Sequence, residues 1–433
     1  MKEEIKQRIE TIRRGEIPKG YKKANISIIP SDDWQDDFLG NLGDFYKGKG
    51  LPGTEMKEHG LPCVGYGDIY TKYNFRFSKA QNFVSEEIAK DSQPINRGTL
   101  LFTGSGETAE EIGKCVCYDG DETIYAGGDI VLLNTKKVNP LFIAYQQNIR
   151  PCIKEKAQLG QGHSVVHIYA DSLKKLSVAY PKDKDEQQRI VEVLMKWDDV
   201  VTLQERLIEK LEIQRKALIQ KLFASQEGWE RFELGTILKE SVEKTKILNE
   251  YSVISSTKNG LFLQKDFFDK EVASKNNIGY KILRKGQIVL SPQNLWMGNI
   301  NYNDKFDIGM VSPSYKIFLI NKSFNQKYIA CMLKTERMFE QFKQVSEQGA
   351  SIVRRNLNME LFNEIVVSVP NIYGQEKIGK AMKTFDNYFE LNVHKLSKLK
   401  EQQKAIMHLL LTGIVRVNYG GNQDVKRYTP CNT

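Results

Sequence analysis

The stretch EQQRIVEVLMKWDDVVTLQERLIEKLEIQRKALIQKLFA, residues 186–224, decides how the rest of the chain is organised. It contains no Pro and no Gly and is rich in strong helix formers, so it predicts one long helix. Its apolar residues recur at alternating steps of three and four, which is typical of a coiled-coil seam rather than of the broad face of a core helix. These residues are Ile190, Leu194, Trp197, Val201, Ile208, Leu211, Leu218 and Leu222. A helix with such a seam requires a partner helix.

A second copy of this pattern lies 188 residues further along the chain. Its apolar stripe consists of Ile378, Met382, Phe385, Phe389, Leu396, Leu399, Ile406 and Leu410. Two polar interruptions of the seam, Gln204 and Arg215, return as Asn392 and Gln403. Because stripe and interruptions share one shift, they indicate an internal duplication rather than two unrelated amphipathic helices. Two roles remain open for the four polar residues. They could fix the pairing register at some cost in stability, or they could face a partner subunit or solvent.

The duplication extends beyond the helices. The pairs that match are Trp34 with Trp229, Leu39-Gly40 with Leu234-Gly235, Gly98 with Gly286, Pro181 with Pro370, and the run GHSVV at 162–166 with the run GASIV at 349–353. Short β-like runs follow Gly98 and Gly286, and Pro181 and Pro370 each end a strand-like run. The predicted fold class is therefore α/β, with two similar α/β domains separated by a pair of long antiparallel coiled-coil helices in a pseudo-twofold internal repeat.

This reading divides the chain into six parts. Residues 1–20 are predicted as an N-terminal amphipathic helix, 21–184 as the first domain, 185–226 as the first long helix, 227–372 as the second domain, 373–413 as the second long helix, and 414–433 as a tail. The seam from Ile190 to Leu222 covers 33 residues, or about 50 Å of helix. Two similar domains at such a separation would suit the reading of two half-sites on one DNA duplex.

The composition bounds the class of protein. The chain has 433 residues, of which 40% are hydrophobic, and carries a formal net charge of +9, which permits a polyanionic partner without requiring one. We expect no membrane association, because no apolar run approaches the ~20 residues of a membrane span. The six cysteines form no CxxC pair, so neither a disulfide scaffold nor a zinc site is predicted, and a reducing cytoplasm fits best.

Three further runs carry a resemblance to a known family. They are P-x-x-x-x-E-Q-Q-R-I at residues 181–190, its shorter counterpart PNIYGQEKI at 370–378, and the closing EQQKAIMHLLLTGIVRV at 401–417. With the duplicated anchors, these runs make nearly the whole chain resemble the DNA-specificity (S) subunit of a type I restriction-modification enzyme. The resemblance implies that each domain is a target-recognition domain that reads one half of a bipartite target in double-stranded DNA.

The same resemblance implies the partners and cofactors. The two helices would space the domains and dock two methyltransferase subunits, and restriction (endonuclease/translocase) subunits would join the complex. The S subunit itself is non-catalytic, so S-adenosylmethionine, ATP and Mg²⁺ are expected on the partner subunits and not on this chain. One feature departs from the family. Members often carry Arg-x-Gly after the glycine-led strand, where this chain has Thr103-Gly-Ser-Gly and Ser291-Pro-Gln-Asn.

Candidate DNA contacts lie in the loops after the glycine-led strands and in the second matched loops. They are Thr103, Ser105, Glu107, His163 and Ser164 in the first domain, and Ser291, Gln293, Asn294, Ser351, Arg354 and Arg355 in the second. Asn and Gln can pair bidentately with adenine and Arg with guanine, whereas Lys and Arg elsewhere are expected to hold phosphates.

No pattern for catalysis was found. An amino-methyltransferase would carry Asn/Asp-Pro-Pro-aromatic, which is absent, and no GxxxxGK[ST] phosphate loop occurs. Gly104-Ser105-Gly106 is interpreted as a turn. His163 and His167 have metal-like spacing but no third ligand, so no metal site is predicted. Two other functions remain open, a self-contained DNA-modifying enzyme of unrecognised type and a coiled-coil scaffold that binds no nucleic acid.

Overall fold

A computed structural model of the chain describes residues 3–51, 53–162, 165–267, 276–348 and 355–417. The chain divides into two compact units. Unit 1 contains the described residues up to Glu205 and those from Lys395 onward, and unit 2 runs from Arg206 to His394. Both boundaries fall inside long helices, Lys184–Leu222 and Ile372–Leu411. Each unit therefore contains one α/β domain and a segment of each long helix.

Unit 1 is built on two sheets. The central sheet contains, in spatial order, Gly43–Lys47, Ile130–Thr135, Thr99–Thr103, Cys115–Tyr118 and Arg76–Phe77. Its neighbours pair antiparallel except the last strand, which joins in parallel. The second sheet contains Asn82–Val84, Leu61–Val64, Ile124–Ala126 and Gln93–Ile95. Thr99–Thr103 is buried throughout, which accounts for its nearly continuous apolar run.

Shorter elements complete unit 1. Three strand pairs are Tyr21–Lys23 with Ile28–Pro30, Trp34–Phe38 with Ser177–Pro181, and Ser105–Gly106 with Val166–His167. The helices are Glu3–Arg13, Tyr66–Thr71, Glu86–Asp91, Pro140–Gln146, Arg150–Leu159 and Ala170–Leu173, with 3₁₀ turns at Leu39–Asn41 and Gly53–Glu55.

Unit 2 repeats the central sheet in shorter form. Its four strands are, in spatial order, Leu238–Ser241, Lys316–Ile320, Gln287–Leu290 and Ile300–Tyr302, all antiparallel. The strand pairs are Glu230–Glu233 with Val366–Val369, Ile254–Thr257 with Gly260–Leu263, Lys281–Arg284 with Ile308–Val311, and Ser346–Gln348 with Arg355–Leu357. The helices are Leu234–Ile237, Gln264–Phe267, Gln326–Met332, Glu336–Gln344 and Met359–Glu364, with a 3₁₀ turn at Leu295–Met297.

The predicted internal repeat is confirmed by the common strand order. Strands Thr99–Thr103 and Gln287–Leu290 are central in both units, and the glycine before each adopts a left-handed conformation, with φ +86° at Gly98 and +87° at Gly286. A side chain is strained at such a φ, so glycine is required at both turns. Unit 2 also contains short strands with the pairing of the second sheet of unit 1, because a parallel bridge between Val253 and Met310 joins its pair Ile254–Thr257/Gly260–Leu263 to its pair Lys281–Arg284/Ile308–Val311. Within the described residues, the central sheets differ in the parallel edge strand Arg76–Phe77 of unit 1.

The repeated Leu-Gly pair has one structural role in both units. Leu39 donates its backbone N–H to Leu176 O at 2.8 Å, and Leu234 donates to Ile365 O at 2.9 Å. A Cβ on Gly40 would lie 2.9 Å from Lys174 Cβ, and one on Gly235 would lie 3.1 Å from the Cβ of Asn363. The glycine therefore allows the chain to pass close to the turn that precedes the last strand of each domain.

A repeated glutamine fastens the start of each long helix. In unit 1, Gln187 accepts a hydrogen bond from Asn139 N at 2.8 Å and donates one to Pro181 O at 2.8 Å. In unit 2, Gln375 accepts from the backbone N of Asn325 at 3.0 Å and donates to Pro370 O at 2.9 Å. Both glutamines are buried. The family-like runs after Pro181 and Pro370 thus encode a joint between the last strand, a short helix and the long helix.

The two long helices run antiparallel within unit 1. Asp198 of the first helix contacts Gln403 of the second at 2.6 Å, and Glu205 contacts Lys400 at 2.6 Å, so rising numbers on one helix meet falling numbers on the other. In unit 2, Arg215 of the first helix contacts Asp386 of the second at 2.8 Å. The 188-residue shift relates Asp198 to Asp386 and Arg215 to Gln403, so both units use the same pair of positions.

The predicted helix-pairing residues all lie on the covered side of the helices. Each of the sixteen seam residues is buried or half-buried. The polar residues Gln204, Asn392 and Gln403 are buried as well, at 6–8% exposure. Since Gln403 and Arg215 each contact the opposite helix, these contacts support the register role, and pairing by the seam remains a prediction.

Several predictions about local structure were wrong in detail. The first long helix begins at Lys184 and ends at Leu222, whereas the predicted range was 185–226. Gly104-Ser105-Gly106 is not a simple turn, because Ser105–Gly106 pairs as a strand with Val166–His167. The strand-like run 173–181 is shorter in the structure, because Leu173 ends the helix Ala170–Leu173 and the strand is Ser177–Pro181.

Five cysteines lie in the described part of the chain, and all are buried and unpaired. Cys115 and Cys117 lie on one strand. No helix within the described residues has the length and apolar character needed to cross a bilayer.

Candidate DNA interface

The candidate contacts of unit 1 lie where the strand Thr99–Thr103 ends. Thr103 is fully buried, and its Oγ1 accepts a hydrogen bond from Tyr70 OH at 2.7 Å. Ser105 is buried at 7% exposure, and its Oγ lies 2.9 Å from His167 Nδ1. Glu107 is exposed, and His163 and Ser164 lie outside the described residues. The side chains of Thr103 and Ser105 therefore support this surface from beneath, while Glu107 faces solvent.

A short antiparallel ribbon joins the two predicted loops of unit 1. Ser105 is paired with His167 and Gly106 with Val166, and Ile168 N donates to Gly104 O at 2.9 Å. We call Ser105–Gly106 and Val166–His167 the unit 1 ribbon. It places the residues that follow the glycine-led strand directly beside Val166–His167.

The candidate contacts of unit 2 lie at the end of the matching strand. Ser291 is buried at 5% exposure, Gln293 is exposed and Asn294 half-buried. The loop is closed by hydrogen bonds from Ser291 N to Asn299 O at 3.0 Å and from Asn294 N to Ser291 O at 3.1 Å. Its amide side chains therefore project from a fixed backbone.

Arg355 joins this loop from the second predicted segment. Its backbone N donates to Gln293 O at 3.1 Å. Its guanidinium donates from Nε and Nη2 to Ser346 O at 3.2 and 2.8 Å, and lies 5.8 Å from the centre of the Trp296 ring. These contacts orient the fork of the side chain while leaving Nη1 without a hydrogen-bond partner among the described residues. Ser351 and Arg354 lie outside the described residues.

A buried polar network supports the unit 2 loop. Ser256 Oγ donates to Asn299 Oδ1 at 2.7 Å and accepts from Asn301 Nδ2 at 2.8 Å. Lys334 Nζ donates to Asn301 Oδ1 at 2.7 Å, and burial lowers the pKa of this lysine to about 8. Such a network is stable only when its members satisfy one another, so it fixes the base of the loop.

Sequence reasoning missed several of these residues. His167, Tyr70 and Trp296 were not among the predicted contacts, although each touches one that was. The repeat contained a signal for His167. Aligning the GHSVV run with GASIV places His167 opposite Arg354, which was predicted as a contact.

Comparisons with known proteins agree with this architecture. The family model described as "Type I restriction modification DNA specificity domain" matches the chain twice, over residues 31–213 and 226–401. The chain is 25% identical over 442 residues to a protein of Methanocaldococcus jannaschii assigned as the specificity subunit of the type I restriction enzyme MjaX, covering 92% of this chain and 97% of the relative. It is 20% identical over 444 residues to the MjaVIII specificity subunit of the same organism, covering 93% and 98%.

A solved structure shows the same fold. The S subunit of a type I restriction-modification system from M. genitalium superimposes with a TM-score of 0.53 at 16% identity, covering 92% of this chain and all of that one. The two family matches together span well over half of the chain, one on each copy of the repeat. The chain therefore belongs to the family of type I restriction-modification DNA specificity subunits.

Proposed function

We propose that the chain is a non-catalytic subunit that reads a bipartite target in double-stranded DNA, one half-site with each unit. The observation that carries this proposal is the repeated loop junction. In unit 1 Ile168 N bonds to Gly104 O, and in unit 2 Arg355 N bonds to Gln293 O. Each unit thus brings the loop after its glycine-led strand against a second loop, and the residues exposed there differ between units. Two similar but chemically distinct surfaces suit two different half-sites.

The reading surface of unit 2 consists of donors and acceptors that match base edges. Gln293 and Asn294 can pair with adenine, and the oriented guanidinium of Arg355 with guanine. In unit 1 we propose that Glu107 reaches the DNA directly, since a carboxylate can accept from cytosine N4. Thr103, Ser105 and Ser291 hold these loops from beneath. We retain His163, Ser164, Ser351 and Arg354 as proposed contacts from the sequence alone.

The long helices are proposed to dock two methyltransferase subunits. Leu203 and Leu391 are related by the 188-residue shift, and both side chains are largely exposed, at 62% and 67%. A singly exposed leucine is common on protein surfaces, so the support for a contact with a partner protein is that the exposed leucine recurs at the matched position of the second helix. One leucine in each unit would serve one methyltransferase subunit, and restriction subunits would join the same complex. The proposed domain boundaries remain residues 21–184 and 227–372, with 185–226 and 373–413 as spacer helices.

Chemistry is proposed to belong to the partners. S-adenosylmethionine, ATP and Mg²⁺ would bind to the methyltransferase and restriction subunits, and this chain would choose the site. Within the described residues no group of three or more His, Cys, Asp and Glu side chains is arranged to hold a metal ion. Methyl transfer by the purified chain alone would contradict this assignment and favour a self-contained enzyme.

The test of separate half-site reading is a domain exchange. Residues 227–372 are replaced by the equivalent segment of a relative with a different target, and the preferred site is selected from a random duplex library. We expect one half-site to change and the other to be retained. A change in both half-sites would contradict independent reading, and a chain that selects no sequence in complex with its methyltransferase would contradict DNA recognition itself.

A further inference from the structure

We propose that His167 reads a base in the first half-site, and that Ser105 positions its ring for this role. The inference rests on the proposed function, since it names a specificity-determining residue of the unit 1 surface. The family resemblance implies neither the role of His167 nor that of Ser105, because the loops after the glycine-led strands depart from the family pattern.

The geometry of the ribbon places His167 on the outer face. Along residues 165–169 the exposed side chains alternate with buried ones. Val165 and Tyr169 are 49% and 59% exposed, whereas Val166 and Ile168 are buried in the core of unit 1. His167 is half-buried between the two exposed residues. Because successive side chains of a strand point to opposite faces, its imidazole lies on the same face as Val165 and Tyr169.

Two contacts hold the imidazole in one orientation. Ser105 Oγ lies 2.9 Å from Nδ1, and the two residues are directly paired across the ribbon. The ring of Tyr169 is stacked at an interplanar angle of 19°, with 6.4 Å between ring centres. The opposite nitrogen, Nε2, has no hydrogen-bond partner among the described residues. The imidazole is thus held at Nδ1, and its Nε2 is available for a hydrogen bond to a ligand.

The buried hydroxyl determines which nitrogen carries the proton. Ser105 is 7% exposed, and Nδ1 is the one acceptor that the described residues offer to its hydroxyl. If Nδ1–H donated instead, the buried hydroxyl hydrogen of Ser105 would have no acceptor among the described residues, which is costly. Ser105 therefore donates to Nδ1, and the neutral ring carries its hydrogen on Nε2. His167 presents a donor to the outside.

A donor at this position selects an acceptor on a base edge. In the major groove guanine offers two adjacent acceptors, N7 and O6, whereas adenine and thymine offer one each, N7 and O4, and cytosine offers only the N4 donor. We infer that one position of the first half-site is guanine, read by His167 Nε2. The matched position of unit 2 in the GHSVV and GASIV alignment is Arg354, a residue type that also reads guanine. The two units would then use one matched sequence position with different side chains.

The test is target selection from a random duplex library by the full chain in complex with its methyltransferase. In the His167→Ala variant we expect the preference for guanine at one position to fall by about tenfold or more, with the second half-site unchanged as an internal control. His167→Gln should move the preference at that position towards adenine, because Gln pairs with adenine N6 and N7. This second variant keeps a hydrogen-bonding side chain if the alanine variant is unstable.

Ser105 variants test the positioning role. Ser105→Ala should weaken discrimination at the same single position, and Ser105→Thr, which retains the hydroxyl, should restore it. If Ser105→Ala instead lowers the affinity equally for all bases at all positions, the role of Ser105 is purely structural, and this part of the proposal is overturned.

The outcomes separate this inference from the proposed function. If the unaltered complex selects a bipartite sequence and His167→Ala leaves every position as before, His167 is not a reading residue although the function holds. If His167→Ala weakens all sequences evenly and lowers the salt dependence by about one ion, His167 holds a phosphate and base reading is overturned. If the unaltered complex selects no sequence, the proposed function fails together with the inference.

Discussion

Gln403 Nε2 donates a hydrogen bond to Asp198 Oδ1 at 2.6 Å, between the two long helices of unit 1. The repeat turns this pair into Arg215 and Asp386 in unit 2, with 2.8 Å between Nε and Oδ1. Asp386 also contacts Lys327 at 3.1 Å, so two cations neutralise it. Asp198 instead receives hydrogen bonds from the neutral side chains of Gln403 and Tyr145. The repeat has therefore kept the geometry of the contact and changed its charge.

This difference predicts that one of the two contacts is sensitive to pH. Burial raises the pKa of Asp198 to about 7, against the opposing effects of the Tyr145 hydrogen bond and nearby Arg76. The ordinary pKa of an aspartate in an unfolded chain is about 3.9. A raised folded-state pKa favours the protonated fold, so this contribution is fully present below about pH 4 and is lost as the pH rises through about 7.

Asp198→Asn should remove that dependence. Asparagine keeps the shape and the acceptor for Gln403 but does not ionise. We expect the free energy of unfolding of the variant to fall less steeply between pH 4 and 7, by up to about 1.4 kcal/mol per pH unit relative to the unaltered chain. The measurement is urea unfolding at a series of pH values. Asp386→Asn is the matched control, which should destabilise throughout this range by leaving Arg215 and Lys327 without a counter-charge. Parallel curves for the unaltered chain and Asp198→Asn would contradict the prediction.

The repeat was predictable because local patterns encode it twice. Helix formers and a seam with period 3.5 recur at a shift of 188, and the matched Trp, Leu-Gly and Pro positions recur at shifts of 189–195. The Leu-Gly and Pro positions correspond to contacts that both units make. The left-handed glycines at Gly98 and Gly286 illustrate this, since backbone sterics allow few other residues there. The fold class could therefore be read from one sequence.

The surface of each unit could not be predicted to the same degree. Pairing of Ser105 with His167 joins residues 62 apart in the sequence, and no local pattern determines which strands of a domain meet. Burial of Thr103 and Ser291 depends on the packing of Tyr70 and on the network below the unit 2 loop, which are long-range contacts as well.

Substitution of the buried glutamine at the start of either long helix should lower the stability of the chain. Gln187→Leu should leave the Asn139 N–H and the Pro181 carbonyl without their partner in a buried place, and Gln375→Leu should do the same at Asn325 and Pro370. We expect each variant to lose about 1–3 kcal/mol of unfolding free energy. The exposed Gln402→Leu is the control and should change stability by less than about 0.5 kcal/mol. Equal effects of all three substitutions in urea unfolding would show that the joints contribute little.

Substitution of the exposed leucines should release the methyltransferase subunits one at a time. Leu203→Glu and Leu391→Glu place a charge on each proposed docking surface without disturbing the core, since both side chains are more than half exposed. Native mass spectrometry of the purified complex should show one methyltransferase subunit lost in either single variant and both lost in the double variant. Gln214→Glu and Gln402→Glu, an exposed pair related by the same shift, are the matched controls. Retention of both subunits by the double variant would place the docking surface elsewhere.

The final prediction concerns the spacing of the half-sites. Both long helices pass from one unit into the other, with the divisions after Glu205 and His394. Four helix-forming residues inserted at each point would lengthen the helix pair by about 6 Å. Since a base pair rises about 3.4 Å along B-DNA, the preferred spacer should grow by about two base pairs. The half-sites themselves should stay the same, because the insertions touch no residue of either reading surface.

Rotation makes this prediction stringent. Four residues advance an α-helix by about 40° beyond a full turn, whereas two base pairs rotate the DNA by about 70°. The difference of some 30° must be absorbed by bending of protein or DNA, so affinity should fall although the new spacer is preferred. A four-residue insertion also changes the local winding of the seam rather than destroying it.

Insertion of the same residues after Ser225, beyond the end of the first long helix, is the control and should leave the spacer as it was. If the helix variant selects the original spacer with unchanged half-sites, the helices do not set the spacing, and the partner subunits must hold the two reading surfaces apart.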